Sequence, residues 1–351
     1  MTGNAGNSAS PAGRPWWDRE RHADRRPLLL ARARILARLR GWFAGEGFVE
    51  VECTALQHSP CAEAHLHAFA TERVHVDGRR ERFYLHTSPE FAAKKLLAAG
   101  ETQIFDFARV WRNRESGRTH ASEFTMLEWY RANAPYSIIM DDTVSIIRAA
   151  TAEGGQKTLA FGGVSIDPFL APETLSATEA FRRHAGIDLV AAIDGGREAF
   201  AASARKAGIV VPGDDSWSDI FTRVMAEKIE PHLGRERLTL FYEYPVSEAA
   251  LARPCPHDPR FAERFEAYAC GVELANGFGE LTDAAEQRRR FVAEMEKKQR
   301  LYGETYPVDE DFIAALAHMP PASGVALGFD RLVMLATHAR SIDDVQWTPS
   351  P

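Results

Sequence analysis

Residues 109–131, RVWRNRESGRTHASEFTMLEWYR, hold five arginines, one histidine and three glutamates between two apolar arms. The arms carry strand signals, so the polar loop RNRESGRTHAS between them reads as a hairpin tip. A guanidinium is always charged and bonds phosphate oxygens in pairs, which suits clustered arginines on such a loop to a polyanion. Phe124 and His120 are placed to form part of a purine's sandwich. Taken alone, the arginines are better explained as solvated members of surface ion pairs.

A second group shifts that balance. In RFEAYACGVELANGFGEL, Glu266, Glu273 and Glu280 recur every seven residues, and a turn near Ala269–Gly271 brings the first two onto adjacent strands. Neighbouring carboxylates repel unless a divalent cation or a ligand ammonium neutralises them, and hard oxygen ligands favour magnesium. Asn276-Gly277 is expected to form a turn where backbone approaches a ligand. A third group, GVALGFDRLVML, runs from a small-residue strand through glycine into a helix opening near Asp330, with Arg331 in its first turn. A flat or phosphorylated ligand can lie against such a strand end, with Arg331 reaching a phosphate.

Elements must hold these groups in place. The Gly/Ser/Pro-rich residues 1–26 are too polar to pack and are expected to form a disordered tail. An amphipathic helix follows from Pro27 to Glu46, with Ile35, Leu39, Trp42 and Phe43 at three-to-four spacing. Strand patterns lie at 47–52, 82–87, 103–113, 122–132, 238–245 and 264–281, and helical ones at 89–100 and 283–302. Residues 150–235, helical and broken by glycines, are expected to be an insertion in a catalytic domain spanning 27–347. Strand runs with helices beside them, without strict βαβ alternation, predict an α+β fold around an antiparallel sheet flanked by helices.

The composition, 351 residues with 45% hydrophobic and 26% charged, is that of a globular protein with a large core. A net charge of -7, from 42 basic and 49 acidic residues, argues against indiscriminate binding to a phosphate backbone. The N-terminus lacks the apolar core of a signal peptide and no long apolar run is present, so a cytoplasmic location without membrane contact is expected. Cys53, Cys61, Cys255 and Cys270 show no C-x-x-C pairing and read as reduced fillers.

Taken together, the three groups resemble the class II aminoacyl-tRNA synthetases of the lysyl branch. WRNRESGRTHASEFTMLEWYR is similar to that class's second motif, GVELANGFGEL to the lysyl magnesium segment, and GVALGFDRLVML to the third motif. The resemblance covers about residues 27–340, and EFTMLEWYR and ELANGF are its most specific blocks. Within the class, the chain most resembles the short paralogues that lysylate elongation factor P. About 26 polar residues ahead of the catalytic domain are too few for an anticodon-binding barrel. Ala326 also stands where the synthetases tend to carry glycine.

The resemblance implies two-step acyl transfer with ATP as substrate and Mg2+ as cofactor. It assigns Arg112 to the α-phosphate and Arg331 to the γ-phosphate, with Asn113, Glu115, His120, Leu274 and Gly328 around the nucleotide and Phe124 with Arg331 bracketing adenine. It assigns Glu266 and Glu273 to the metal. Ser88, Pro89 and Glu90 would receive one substrate ammonium, and Tyr130 with Glu280 the other, beside Asn276 and Ala326. The amino acid implied is lysine or, in preference, (R)-β-lysine, and the acceptor is a lysine of elongation factor P rather than tRNA. A homodimer is expected. A tRNA ligase lacking its anticodon module and a non-catalytic amino-acid sensor are the other functions open to such a chain. Three departures stand out: Arg114 where the family's Arg-Asn-Glu-Glu has a glutamate that reads the adenine amine, Thr54 for a first-motif proline, and Ala121 for an asparagine. A one-residue shift of the loop would let Glu115 replace the missing glutamate.

Overall fold

The structure, a computed structural model, describes residues 14–60 and 63–350. The expected disordered tail lies outside the described residues up to position 13, and so does Cys61. From Arg19, however, the chain is helical: α1 spans Arg19–Gly45 and contains Pro27 rather than starting at it. Asp18 is the N-cap, its carboxylate accepting the Glu20 and Arg21 N–H groups. What the charged run 19–26 hides is tertiary anchoring. Arg25 is buried and donates to the Gln346 carbonyl, so this first stretch of helix docks through polar contacts rather than an apolar stripe.

Eight strands build one sheet: β1 (Val49–Glu50), β2 (Gln103–Trp111), β3 (Glu123–Ala132), β4 (Glu173–Ser176), β5 (Thr239–Pro245), β6 (Phe261–Ala269), β7 (Val272–Gly279) and β8 (Ala322–Gly328). Their spatial order is β1-β2-β3-β8-β7-β6-β5-β4, antiparallel except for the outer pairs β1/β2 and β4/β5. The expected α+β architecture is the one observed. Further helices are α2 (Glu90–Ala98), α3 (Tyr136–Glu153), α4 (Ala284–Tyr302) and α5 (Phe329–Ala336).

Alternation along the strands gives the sheet two different faces. Leu127 and Trp129 of β3 point into a core with Ile35, Leu39 and Phe43 of α1, Ile146 and Ile147 of α3, and Leu332 and Leu335 of α5. A fully buried phenylalanine such as Phe43 contributes roughly 1.5–3 kcal/mol there. Tyr130, one residue on, faces the opposite side, against Phe91 and Leu97 of α2, Phe291 of α4, and Phe312. Residues 177–232 are a run of short helices whose own core of Phe181, Phe200 and Phe221 packs on Tyr244 of β5 and Tyr268 of β6.

Two local expectations change. Asn276-Gly277 is no turn but lies within β7, and the turn of this hairpin falls at Cys270-Gly271, both with positive φ. Gly277 is needed for packing instead, since a Cβ there would run into the Phe265 ring. Cys53, Cys255 and Cys270 are free thiols, the last two buried.

Candidate active site

Strand register assembles the site on the α2 side of the sheet. Glu266 of β6 pairs with Asn276 of β7, Asn276 with Ala326 of β8, Ala326 with Glu128 of β3, and Glu128 with Asp106 of β2. This polar row crosses five strands, and the next row is Arg264, Phe278, Gly324, Tyr130 and Ile104. Above the rows lies a cavity of about 270 Å³. Its walls include Arg112, Glu115, His120, Phe124, Glu273, Leu274, Gly328 and Arg331, and also Ser88, Glu90, Glu266, Asn276 and Ala326.

One end of the cavity is cationic. Arg112, just past β2, donates from Nε to the Thr87 carbonyl at 3.2 Å and lies with its guanidinium 5.4 Å from the Phe124 ring centroid. Arg331, in the first turn of α5, is fixed by donation to the carbonyls of Thr119 (3.1 Å) and Glu273 (3.0 Å). Its Nη2 is 2.7 Å from His120 Nε2. Burial, and then Arg331, lower the His120 pKa, so the imidazole is neutral and Nε2 accepts from the guanidinium. Both arginines therefore spend some donors on the protein and hold a fixed orientation in one cavity.

The acidic wall comes from the β6–β7 hairpin. Glu266 accepts from the hydroxyls of Tyr244 and Tyr268, each at 2.5 Å, and from Arg264 Nη2 at 2.6 Å. Among the described residues the Glu273 carboxylate accepts no such bond, with Arg331 Nη1 4.0 Å away; burial first, and then the Glu266 charge, push its carboxyl up to about 7, with Arg331 pulling the other way. A dication between the two carboxylates would relieve that repulsion, so the donor set fits a hard metal ion.

The third wall is built by the start of α2. Ser88 Oγ accepts the Glu90 N–H at 3.1 Å and donates to Glu128 Oε1 at 2.5 Å, so one hydroxyl ties the first residue of the helix to the sheet. Tyr130 donates to the other Glu128 oxygen at 2.8 Å. Burial and then Glu90 raise the Glu128 carboxyl to about 8. Gly324 leaves room for this arrangement: a Cβ there would penetrate the Tyr130 ring and press on Glu280 Oε1. Gly324→Ala is accordingly expected to destabilise the fold by about 1–3 kcal/mol, read as a lowered midpoint in urea. A midpoint equal to that of the unaltered protein would show that Tyr130 is free to move.

Residues 14–350 match the class II tRNA synthetases (D, K and N). The chain belongs to that family. Among its relatives is the elongation factor P–(R)-β-lysine ligase of Haemophilus influenzae (strain PittGG), 38% identical over 90% of this chain and 93% of the relative. Proteins of the same name from Edwardsiella ictaluri and Salmonella paratyphi B are 40% and 39% identical, over 90% and 91% of this chain and 93% and 94% of theirs.

Four of the residues that the synthetase resemblance assigns do not line the cavity. Asn113 Oδ1 instead accepts the Arg114 N–H at 2.9 Å, and Pro89 is the residue at the N-cap of α2. Tyr130 and Glu280 are 4% and 1% exposed and lie one layer beneath the wall. Arg114, which stands where the synthetases carry an adenine-reading glutamate, has φ +65 and turns out of the cavity. It pairs with Glu304 and lies over the Tyr302 ring, while Glu115 faces inward with Arg112 Nη1 3.9 Å away. Met126 is buried yet also lines the cavity. Lys94 and Arg264 were missed. Each had a local signal, Lys94 four residues after Glu90 on one helix face and Arg264 two before Glu266 on one strand face.

Proposed function

We propose that this chain activates a lysine-like diamino acid with ATP and transfers the acyl group to a lysine side chain of elongation factor P. The observation that carries the reading is one cavity lined by Arg112 and Arg331 together with Glu90, Glu266 and Glu273. The choice of (R)-β-lysine and of this acceptor rests on what the relatives' names say of them. Described residues include no helix long and apolar enough to cross a membrane.

In the first step the substrate carboxylate attacks the α-phosphorus of ATP, forming the acyl–phosphate bond as the bond to pyrophosphate breaks. Arg112 and Arg331 bind the phosphates and are already oriented by carbonyl contacts, so they need not reorganise as charge develops. Phe124 offers its ring to adenine, and Glu115 takes the place of the missing glutamate toward the adenine amine. Glu90 receives a substrate ammonium, and Glu266 with Glu273 would hold magnesium, which when bound neutralises phosphate oxygens. In the second step the acceptor amine attacks the acyl carbon, AMP leaves, and the amine gives up a proton. Positioning of two reactants supplies roughly 7–11 kcal/mol of such a barrier, so no enzyme nucleophile is required. The chain acts as a homodimer in this reading.

Pyrophosphate exchange with ATP, Mg2+ and either (R)-β-lysine or α-lysine tests the first step, and mass analysis of elongation factor P and of tRNA tests the second. Expected are exchange with (R)-β-lysine and one added lysyl mass on the factor. Charging of tRNA alone would make the chain a tRNA ligase, and no exchange with either amino acid would make it a sensor.

A further inference from the structure

Beneath the wall built by the start of α2 is a charge that the proposed chemistry leaves unused. Lys94 of α2 has a fully buried side chain, with Nζ 2.5 Å from Glu90 Oε1 and 2.6 Å from Glu280 Oε2. Glu90 lies one helical turn away and faces the cavity; Glu280, just beyond β7, lies behind it. Burying an ammonium is unfavourable unless it is paired. Here burial opposes the Lys94 charge, but Glu280 and then Glu90 outweigh it and raise the ammonium's pKa. An ammonium this close to two carboxylates stays charged, and its charge opposes the burial that pushes the Glu280 carboxyl up. Other groups that face this cluster are the Glu128 carboxyl, raised by burial to about 8, the Tyr130 phenol, Glu63 on the cavity side of Glu90, and Arg253, whose field acts on Glu280. Counted as two carboxylates paired with one ammonium, Glu90, Glu280 and Lys94 carry a single formal negative charge.

We propose that Lys94 is a fixed counter-ion that sets this subsite at one negative charge and aligns Glu90, so that it takes one ammonium of a diamino acid. The inference rests on the function proposed above and adds a specificity-determining residue to it. Lys94 acts through Glu90 and is a positioning residue. Its ammonium holds one Glu90 oxygen and leaves the other for the cavity. Without Lys94, two carboxylates would share the buried space and compete for a proton, and the subsite would lose its defined charge. Without the Glu280 charge, Lys94 would cancel Glu90 and leave nothing for the substrate ammonium.

The two losses compensate one another, and that gives the test. Lys94→Met, Glu280→Gln and the double variant are compared in ATP–pyrophosphate exchange with (R)-β-lysine near pH 7, with thermal melting as the check on folding. Each single variant is expected to raise the amino-acid KM about 30- to 100-fold with the ATP KM unchanged. The double variant, again with one negative charge, is expected to return to within about fivefold of the unaltered protein. A purely structural lysine predicts the opposite, a double variant at least as impaired as the worse single one, and that result overturns the proposal. An unchanged amino-acid KM in Glu280→Gln overturns it too, even should Lys94→Met fail to fold. Exchange by the unaltered protein with no diamino acid removes the underlying function as well; exchange with an additive cycle removes only the role of Lys94.

Discussion

Replacing Arg112 by alanine is expected to lower kcat/KM for ATP–pyrophosphate exchange about 10³-fold while the amino-acid KM changes little. The guanidinium is held by the Thr87 carbonyl and stands over Phe124, so its free donors are preset toward the cavity before any ligand arrives. Removing one preorganised donor from a developing phosphate charge costs about 10²–10³ in rate, and here a full charge leaves with it. Arg112→Lys should recover little, because an ammonium cannot reproduce the planar fork or the stacking on Phe124. A loss smaller than about tenfold, with the melting temperature intact, would place the phosphates elsewhere. Arg331 should behave alike, but its loss also frees His120 and the Glu273 carbonyl from their bonds, so Arg112 gives the cleaner measurement.

The largest effect on stability is expected at a distance from the cavity. Arg32 of α1 and Asp330 of α5 form a buried pair at 2.5 Å, with Arg32 Nη2 donating to Thr125 Oγ1 at 2.9 Å. Asp330 Oδ2 accepts from Gln346 Nε2 at 2.8 Å and from the Thr125 N–H at 3.3 Å. The pair fixes the N-terminal helix, β3 and the helix that carries Arg331 relative to one another. Arg32→Met leaves an uncompensated carboxylate whose side chain is fully buried, and should cost about 3–5 kcal/mol in urea unfolding. Arg32→Met with Asp330→Asn should recover part of that loss, since the buried charge is then gone. If the single variant unfolds at the same urea concentration as the unaltered protein, the pair is open to water and the bond between helices is weak.

Arg114 and Glu115 illustrate what lies between sequence and structure. The sequence reveals that a glutamate is missing and that a one-residue shift would supply another. Deciding whether the shift occurs takes a backbone angle, φ +65 at Arg114, and a partner almost two hundred positions away, Glu304. A left-handed arginine is uncommon, and here the outward pull of Glu304 and Tyr302 accompanies the inward turn of Glu115.

The antiparallel sheet, the β6–β7 hairpin and the glycine strand running into α5 were legible because period-two alternation, turn residues and a helix start are local signals. The cationic and acidic cavity residues were legible for a similar reason, since each motif carries its own charges within a few residues. Local signals also misled: Pro27 resembled a helix start, Asn276-Gly277 a turn, and the helical pattern of Tyr136–Glu153 went unread. By itself, then, the sequence determined which chemistry is present and on which kind of element. Tertiary structure alone decided which charges face the ligand and which face each other, placing Glu280 and Lys94 behind Glu90 and Asp330 against Arg32. The physical reason is that a buried charge is tolerated only beside its opposite, and that opposite is supplied by folding rather than by sequence neighbours.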